Sequence, residues 1–348
     1  MIALPAKRQT KRKTKAIEPQ LTILSLGGGQ DSTYLFYRLI YDKRFRKKYA
    51  PGDLLVIMSD TGDEHLETYI HVRHLQKLAE KHMVDFVFLT NDMGYHSESW
   101  ATLTTQYEKN KTCGMNAGQK TCTVNLKINP IYRFVSDWVG EKYLVPQDCA
   151  ADCYRDDFKA NDGKLGKYGW YTNLVAYAGL YQKVRVIIGI AAGEEERVEK
   201  AKNAKVGKWM TLSVDRCYPL IDIGYDRAKC QKGIRKFGHK VPLPSNCRRC
   251  PFISPIELLW QSRFDREAFD EWVVFERNKL WYDVNGRKRS PKNQAKIDRG
   301  ETIKSLGVFG TKTLEEKLAD AEKKYGHMSD AELHEYKMSH GHCVSTSW

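Results

Sequence analysis

Residues 24–39 read LSLGGGQDSTYLFYRL. The apolar run 21–26 (LTILSL) leads into three glycines, an acid, two hydroxyl residues and then an apolar pattern at helical spacing. The run reads as a buried strand, and Asp31 to Tyr41 as a helix. A glycine turn between strand and helix is a cradle for an anion. Glycine permits a tight turn and close approach of the backbone to a phosphate. The N–H groups of the first helical turn then point at the anion, and the macrodipole adds to the attraction. Ser25, Ser32 and Thr33 offer hydroxyl donors. Two common cradles are excluded. No lysine stands where G-x-x-x-x-G-K-S/T requires one, and Ser32 occupies the place of the third glycine of G-x-G-x-x-G. The bland alternative is a tight turn with a structural role alone.

Outward from this stretch, strands and helices alternate. Residues 53–58, 84–89 and 184–190 read as strands; 64–82, 127–139 and 170–182 read as helices. Such alternation implies βαβ units. The expected fold is α/β: an open, mostly parallel twisted sheet with helices on both faces, plus a helical C-terminal region. Capping boxes mark later helix starts at Ser254/Glu257, Thr313/Glu316 and Ser329/Glu332. Residues 283–300 are basic and rich in Asn, Gly and Ser, and read as a loop or linker. The expected organisation is a basic flexible tail (1–20), an α/β domain (21–263) and a mainly helical extension (264–348).

The chain has 348 residues, 41% of them hydrophobic, enough for a packed core. No apolar run reaches the roughly 20 residues of a membrane span, and the N-terminus lacks the apolar core of a secretory signal. A soluble, cytoplasmic protein with no membrane partner is expected. Net charge is +14, and residues 7–15 (KRQTKRKTK) supply six of those charges. That segment reads as a solvated tail or as an arm for nucleic-acid phosphates. Aromatics mixed with bases at 277–289 (RNKLWYDVNGRKR) raise the same question of a nucleic-acid partner; a solvated loop with two packed aromatics is the alternative. The nine cysteines are odd in number, which argues against a disulfide framework. Cys247 and Cys250 form a C-x-x-C, Cys149 and Cys153 a C-x-x-x-C, and Cys113 and Cys122 lie upstream. Such groups read as metal or redox sites. His71 and His74 stand three apart on a predicted helix; a solvated face explains them better than a metal site. His340 and His342 flank Cys343 in a tail expected to fray.

Five stretches in order resemble one family. SLGGGQDST resembles the pyrophosphate-binding PP-loop of the ATP-pyrophosphatase (adenine nucleotide α-hydrolase) superfamily. SDTGDEHLET (59–68), KTCTVNLKINPI (120–131), IGIAAGEEER (188–197) and CYPLIDIG with LPSNCRRCPF resemble segments of its phosphoadenosine-phosphosulfate (PAPS) reductase-like branch, which includes DNA-phosphorothioation sulfurtransferases. The likeness covers residues 21–263. It implies that Ser25, Gly27, Gly28, Gly29, Asp31, Ser32, Thr33, Asp60, Thr61, Glu194 and Glu195 hold an adenine nucleotide (ATP or PAPS) with Mg²⁺. It further implies Asp60, Lys127 and Arg197 as the catalytic set. Departures exist. Ala191 stands where many relatives carry arginine, Cys343 lacks the flanking residues of the reductases' redox tail, and Cys122 is single where iron–sulfur reductases have adjacent cysteines.

The resemblance implies that Cys122, Cys247 and Cys250 converge beside the nucleotide. With Cys113 as candidate fourth ligand, or Cys149 with Cys153, they suit a 4Fe–4S cluster. Zinc is the alternative, and unliganded buried thiols are the third reading. The implied activity is adenylylation of a substrate by ATP followed by sulfur transfer, on DNA, tRNA or a small metabolite, with a sulfur-donor protein such as a cysteine desulfurase as partner. Reduction of an adenylyl sulfate to sulfite and a non-catalytic nucleotide-binding module are the alternatives.

Overall fold

The computed structural model describes residues 20–116, 121–144, 167–285, 291–301 and 305–340. Five strands form one sheet: β1 (Leu21–Ser25), β2 (Asp53–Ser59), β3 (Asp85–Leu89), β4 (Val184–Ile188) and β5 (Val214–Cys217). Their order is β3-β2-β1-β4-β5, and every pairing is parallel. The expected open α/β sheet is thus what the chain forms. β5 was not among the expected strands. Its four residues, Val-Asp-Arg-Cys, lie at the sheet's edge and carry an exposed Asp215, so no apolar run announces them.

The helices that position the site are α1 (Gln30–Tyr41), α2 (Leu66–Lys81), α3 (Asn129–Val139), α4 (Thr172–Tyr181), α5 (Arg227–Lys236), α6 (Pro255–Phe264), α7 (Arg266–Asn285), α8 (Leu314–Tyr325) and α9 (Asp330–His340). Strand residues alternate between two cores, as the pleat requires. Leu24, Leu54, Val56 and Met58 face α1, α2 and α5. Leu21, Ile23, Leu55 and Ile57 face α3 and α4. Both faces are covered, which explains why β1 and β2 read as continuous apolar runs.

A third core joins Leu103, Tyr107 and Leu126 to Leu258, Phe269, Trp272, Leu314 and Leu333. Residues on either side of position 263 therefore share one apolar cluster. The capping boxes form at Ser254 and Thr313, and Ser329 exchanges the same two bonds with Glu332. Part of 283–300 departs from the expected loop: α7 continues to Asn285, and Pro291–Asp298 is helical. A Lys279–Asp283 ion pair of 2.7 Å supports the last turns of α7, and Pro291 opens the next helix where no N–H is needed. Residues 1–19, with the basic stretch, and Cys149, Cys153, His342 and Cys343 lie outside the described residues. Among the described residues no helix is long and apolar enough to cross a membrane.

Candidate functional site

In this strand order the chain moves outward from β1 to β3, then returns to place β4 on the other side of β1. Loops leaving β1 and β4 diverge there, and ligands of open α/β sheets bind outside the carboxyl ends at such a point. A cleft opens at that place. Gly27, Gly29 and Ser32 line it from the β1 side, Gly189 from the β4 side, and Lys127, Arg197 and Arg227 supply cationic side chains.

The glycines are there because three backbone segments meet. Gly28 has φ +72°, a left-handed conformation costly for other residues. A Cβ on Gly29 would stand 2.7 Å from the Ser245 nitrogen, and one on Gly189 would stand 2.9 Å from the Ser32 nitrogen. Ser32 Oγ accepts from the Gly27 N–H at 3.1 Å and donates to the Gly29 carbonyl at 3.3 Å, which braces the turn. The N-cap of α1 is Gly29 itself, so no side chain caps the first helical turn. The Ser25 hydroxyl lines the cleft, buried and without a hydrogen-bond partner among the described residues. An uncapped helix start beside an orphaned hydroxyl fits an anionic ligand.

Four expected residues, Thr33, Asp60, Thr61 and Glu195, are engaged away from the cleft lining. Thr33 is fully buried, and its hydroxyl bonds His71 Nε2 at 3.0 Å. Asp60 accepts from Tyr69 Oη and from the Gly62 N–H, both at 2.9 Å, so it shapes its own loop; burial raises its pKa. Thr61 donates to Glu64 Oε1 at 3.1 Å and lines a second cavity. Glu195 caps the Gly193 N–H at 2.9 Å. Glu194 binds Arg197 and lies 3.4 Å from Arg227, which in turn lies 3.2 Å from Asp31. Asp31, Arg227, Glu194 and Arg197 thus form a chain of alternating charges along the cleft. Arg227 was not foreseen. It supplies a guanidinium to the cleft. Its signal was present in GYDRAK, where Asp226 caps α5 through the Lys229 N–H at 2.7 Å and sets Arg227 in the first turn.

Lys127 owes its place to a proline. Residues Val124–Ile128 form a π-helical turn ahead of α3. Pro130 has no N–H to give the Leu126 carbonyl. Ser59 Oγ, at the end of β2, donates to that carbonyl instead at 2.6 Å. The turn is therefore fastened to the sheet's carboxyl edge. Lys127 lines the cleft, its Nζ 3.5 Å from Glu64 Oε1.

Lys127 and Thr123 also line the second cavity, so one wall serves both. This cavity has a volume of about 230 Å³, against about 80 Å³ for the cleft. Cys122, Cys247 and Cys250 line it together with Trp100, Leu103, Tyr107 and Phe252. Three of the four expected thiols are thus gathered. The fourth, Cys113, is not among the lining residues. Its thiol donates to the Gly114 carbonyl at 3.3 Å, its own carbonyl accepts from Trp272 Nε1 at 2.9 Å, and burial pushes its pKa up to about 12.

The two arginines between the cysteines turn into carboxylates and hold the loop. Arg249 pairs with Asp63 and Glu271. Arg248 clasps Asp265 through two bonds of 2.7 and 2.6 Å, and its N–H donates to the Asp63 carbonyl at 2.7 Å. Burial alone would raise the Asp265 pKa, but Arg248 and His65 hold it well below the usual range. Cys247 donates to Thr61 Oγ1 at 3.4 Å; burial, then Glu64, pushes its pKa well above that of a free thiol, against the opposing charge of Lys127. Without a bound cation Cys247 is protonated at neutral pH, and metal ligation would release that proton. Among the described residues no group of three or more His, Cys, Asp or Glu could hold a single metal ion.

His71 is tied to Thr33. Within 277–285, Arg277 pairs with Glu315 at 2.7 Å and Lys279 is buried against Asp283, while Trp281 is 64% exposed and so is not the packed aromatic of the solvated-loop alternative. His340 stacks on Tyr336.

Fold and site define an open parallel α/β protein with a glycine-lined, cationic cleft at its switch point and a thiol-lined cavity that shares its wall. No family model and no curated protein matches the chain. Among solved structures it is similar to the U34-tRNA thiolase NcsA from Methanococcus maripaludis with its 4Fe–4S cluster: 15% identity over 87% of this chain and 82% of that one, with a TM-score of 0.36.

Proposed function

We propose that the chain is an enzyme that binds ATP by its phosphates at Gly27–Ser32, adenylylates a substrate and transfers sulfur to it from the adjoining thiol cavity. One observation carries the reading: cleft and cavity share the wall formed by Thr123 and Lys127. In the first step a substrate oxygen attacks the α-phosphorus, the α–β anhydride bond breaks and pyrophosphate leaves. The first-turn amides of α1 and the Lys127 ammonium stabilise the charge that develops on the phosphates. Arg227 and Arg197 flank it, and Asp31 is the carboxylate nearest the loop for Mg²⁺. In the second step a sulfur nucleophile displaces AMP. Cys122, Cys247 and Cys250 would hold a 4Fe–4S cluster, which when bound supplies an iron able to carry sulfur. Lys127 keeps the shared wall positive on both sides. The net charge of +14 favours a nucleic-acid acceptor, and a cysteine desulfurase is a fitting sulfur donor.

The test is ATP–pyrophosphate exchange on anaerobically purified protein with bulk tRNA or duplex DNA supplied as the acceptor, together with its absorption spectrum and iron and sulfide content. Exchange is expected, and Lys127→Ala should slow it by about 100-fold, the usual effect of losing one transition-state donor. Sulfite release from labelled PAPS without exchange would replace this reading by a reductive one. Nucleotide binding with no turnover would leave a binding module.

A further inference from the structure

Helix α9 lies beyond the stretch that carries the resemblance, and it touches both halves of the site. The Lys337 side chain is only 2% exposed. Its ammonium donates to Asn246 Oδ1 at 2.8 Å, lies 3.4 Å from Glu257 Oε1 and sits 5.2 Å from the Trp260 ring centre. Glu257 is itself fixed, since its other oxygen accepts from the Ser254 N–H that caps α6. At the next residue the helix end turns to the glycine loop. The Met338 carbonyl accepts from Gln30 Nε2 at 2.9 Å and from Gln231 Nε2 at 3.1 Å, and the Ser339 carbonyl accepts from Arg227 at 3.4 Å. A helix C-terminus leaves its last carbonyls without intrahelical partners. Here the donors come from the residue next to Gly29 and from α5.

Between these two anchor points runs the tripeptide Ser245–Asn246–Cys247. Ser245 lies against Gly29, Asn246 is held by Lys337, and Cys247 lines the thiol cavity. We propose that α9 is a strut fixing the thiol loop against the glycine loop, with Lys337 as its positioning residue. The inference deepens the sulfur-transfer reading and rests on it for its purpose. Transfer needs the sulfur carrier within contact distance of the activated atom, and a misplacement of about 1 Å can cost about 100-fold in rate. A helix serving only as cover has no need of a lysine there. Replacing a buried ion pair with apolar groups is often neutral or stabilising.

The test uses full-length Lys337→Met, Lys337→Arg and Gln231→Leu. Amide hydrogen exchange is followed by mass spectrometry over 243–253, over 26–33 and over the control strand β4, Val184–Ile188. Lys337→Met should lose about tenfold protection over 243–253, the result of weakening local closure by about 1.4 kcal/mol, with β4 unchanged. Lys337→Arg should recover most of it. Gln231→Leu, at the far end of the strut, should loosen both 26–33 and 243–253. Unchanged protection over 243–253 in Lys337→Met, or equal loss in β4, overturns the positioning role. A Gln231→Leu effect confined to 26–33 overturns the strut. Calorimetry with ATP runs alongside. No ATP binding by the wild type, with the exchange pattern intact, sinks the nucleotide reading and leaves the strut standing.

Discussion

The glycine cleft and the thiol cavity share a wall but are built in opposite ways. The cleft is built round backbone: the turn and helix start at Gly27–Ser32, met at the carboxyl edge of the sheet by distant loops at Gly189 and Ser245. The cavity is mostly side chains, drawn from residues 100–115, from the turn around Cys122 and from the distant loop of Cys247 and Cys250. The first depends on the absence of side chains. The second depends on ion pairs that hold its loop from outside. Sites of the first kind fail when an atom is added, and sites of the second kind fail when a partner is removed.

The cavity side should break hardest. Arg249→Met leaves the Asp63 carboxylate, whose side chain is 1% exposed, without its main partner. Removing one member of such a buried pair costs about 3–5 kcal/mol, measurable by urea unfolding. A loss below about 1 kcal/mol would show that the Cys247–Cys250 loop is held by packing alone.

Gly29→Ala is the matching break on the cleft side. Its Cβ would stand 2.7 Å from a backbone nitrogen that no rotamer can move. ATP affinity by calorimetry should fall by about 100-fold, the cost of a displacement near 1 Å, while Gly193→Ala serves as control with nothing within 4 Å of its Cβ but a strained φ of +93°. Gly29 has an ordinary φ of −91°, so an effect no larger than that of Gly193→Ala would mean that the Ser245 segment gives way and the close approach does not require the glycine.

Arg227→Ala sharpens the comparison, because this residue adds side-chain charge to a backbone site. ATP affinity should drop by about tenfold, the weight of one charged hydrogen bond. An unchanged affinity would confine Arg227 to its bridge between Asp31 and Glu194.

The smallest effect concerns acid. Burial, then His74 and His239, lowers the His71 pKa from 6.5 to about 4. The unfolded chain therefore takes up this proton first, and stability falls as pH drops from about 6.5 towards 4. His71→Gln keeps a partner for Thr33 and removes the titration. The thermal midpoint of the variant should fall less between pH 7 and pH 5 than that of the wild type; parallel curves would place the acid sensitivity elsewhere.

The strands β1 to β4 and helices α1, α2 and α4 were legible because their apolar periodicity is local and their ends carry glycines or turns. The capping boxes were legible for the same reason: donor and acceptor lie three residues apart. β5 was hidden by its brevity and its edge position, and the helix Pro291–Asp298 by polar composition. At the site, Gly27, Gly29, Ser32, Lys127 and Arg197 line the cleft as expected from the motifs. Thr33 and Asp60 do not, because a motif fixes which residues are near a turn and not which way each side chain rotates.

The sequence by itself determined the open α/β sheet, the glycine turn after its first strand and the C-x-x-C loop, since each is written within a few consecutive residues. Only the tertiary structure decided that Arg227 enters the cleft beside Asp31 and that a buried lysine of the last described helix holds Asn246. Those are contacts across roughly 90 to 200 residues of chain, set by how layers pack around a shared core, and packing of that kind leaves no periodic trace in any single stretch.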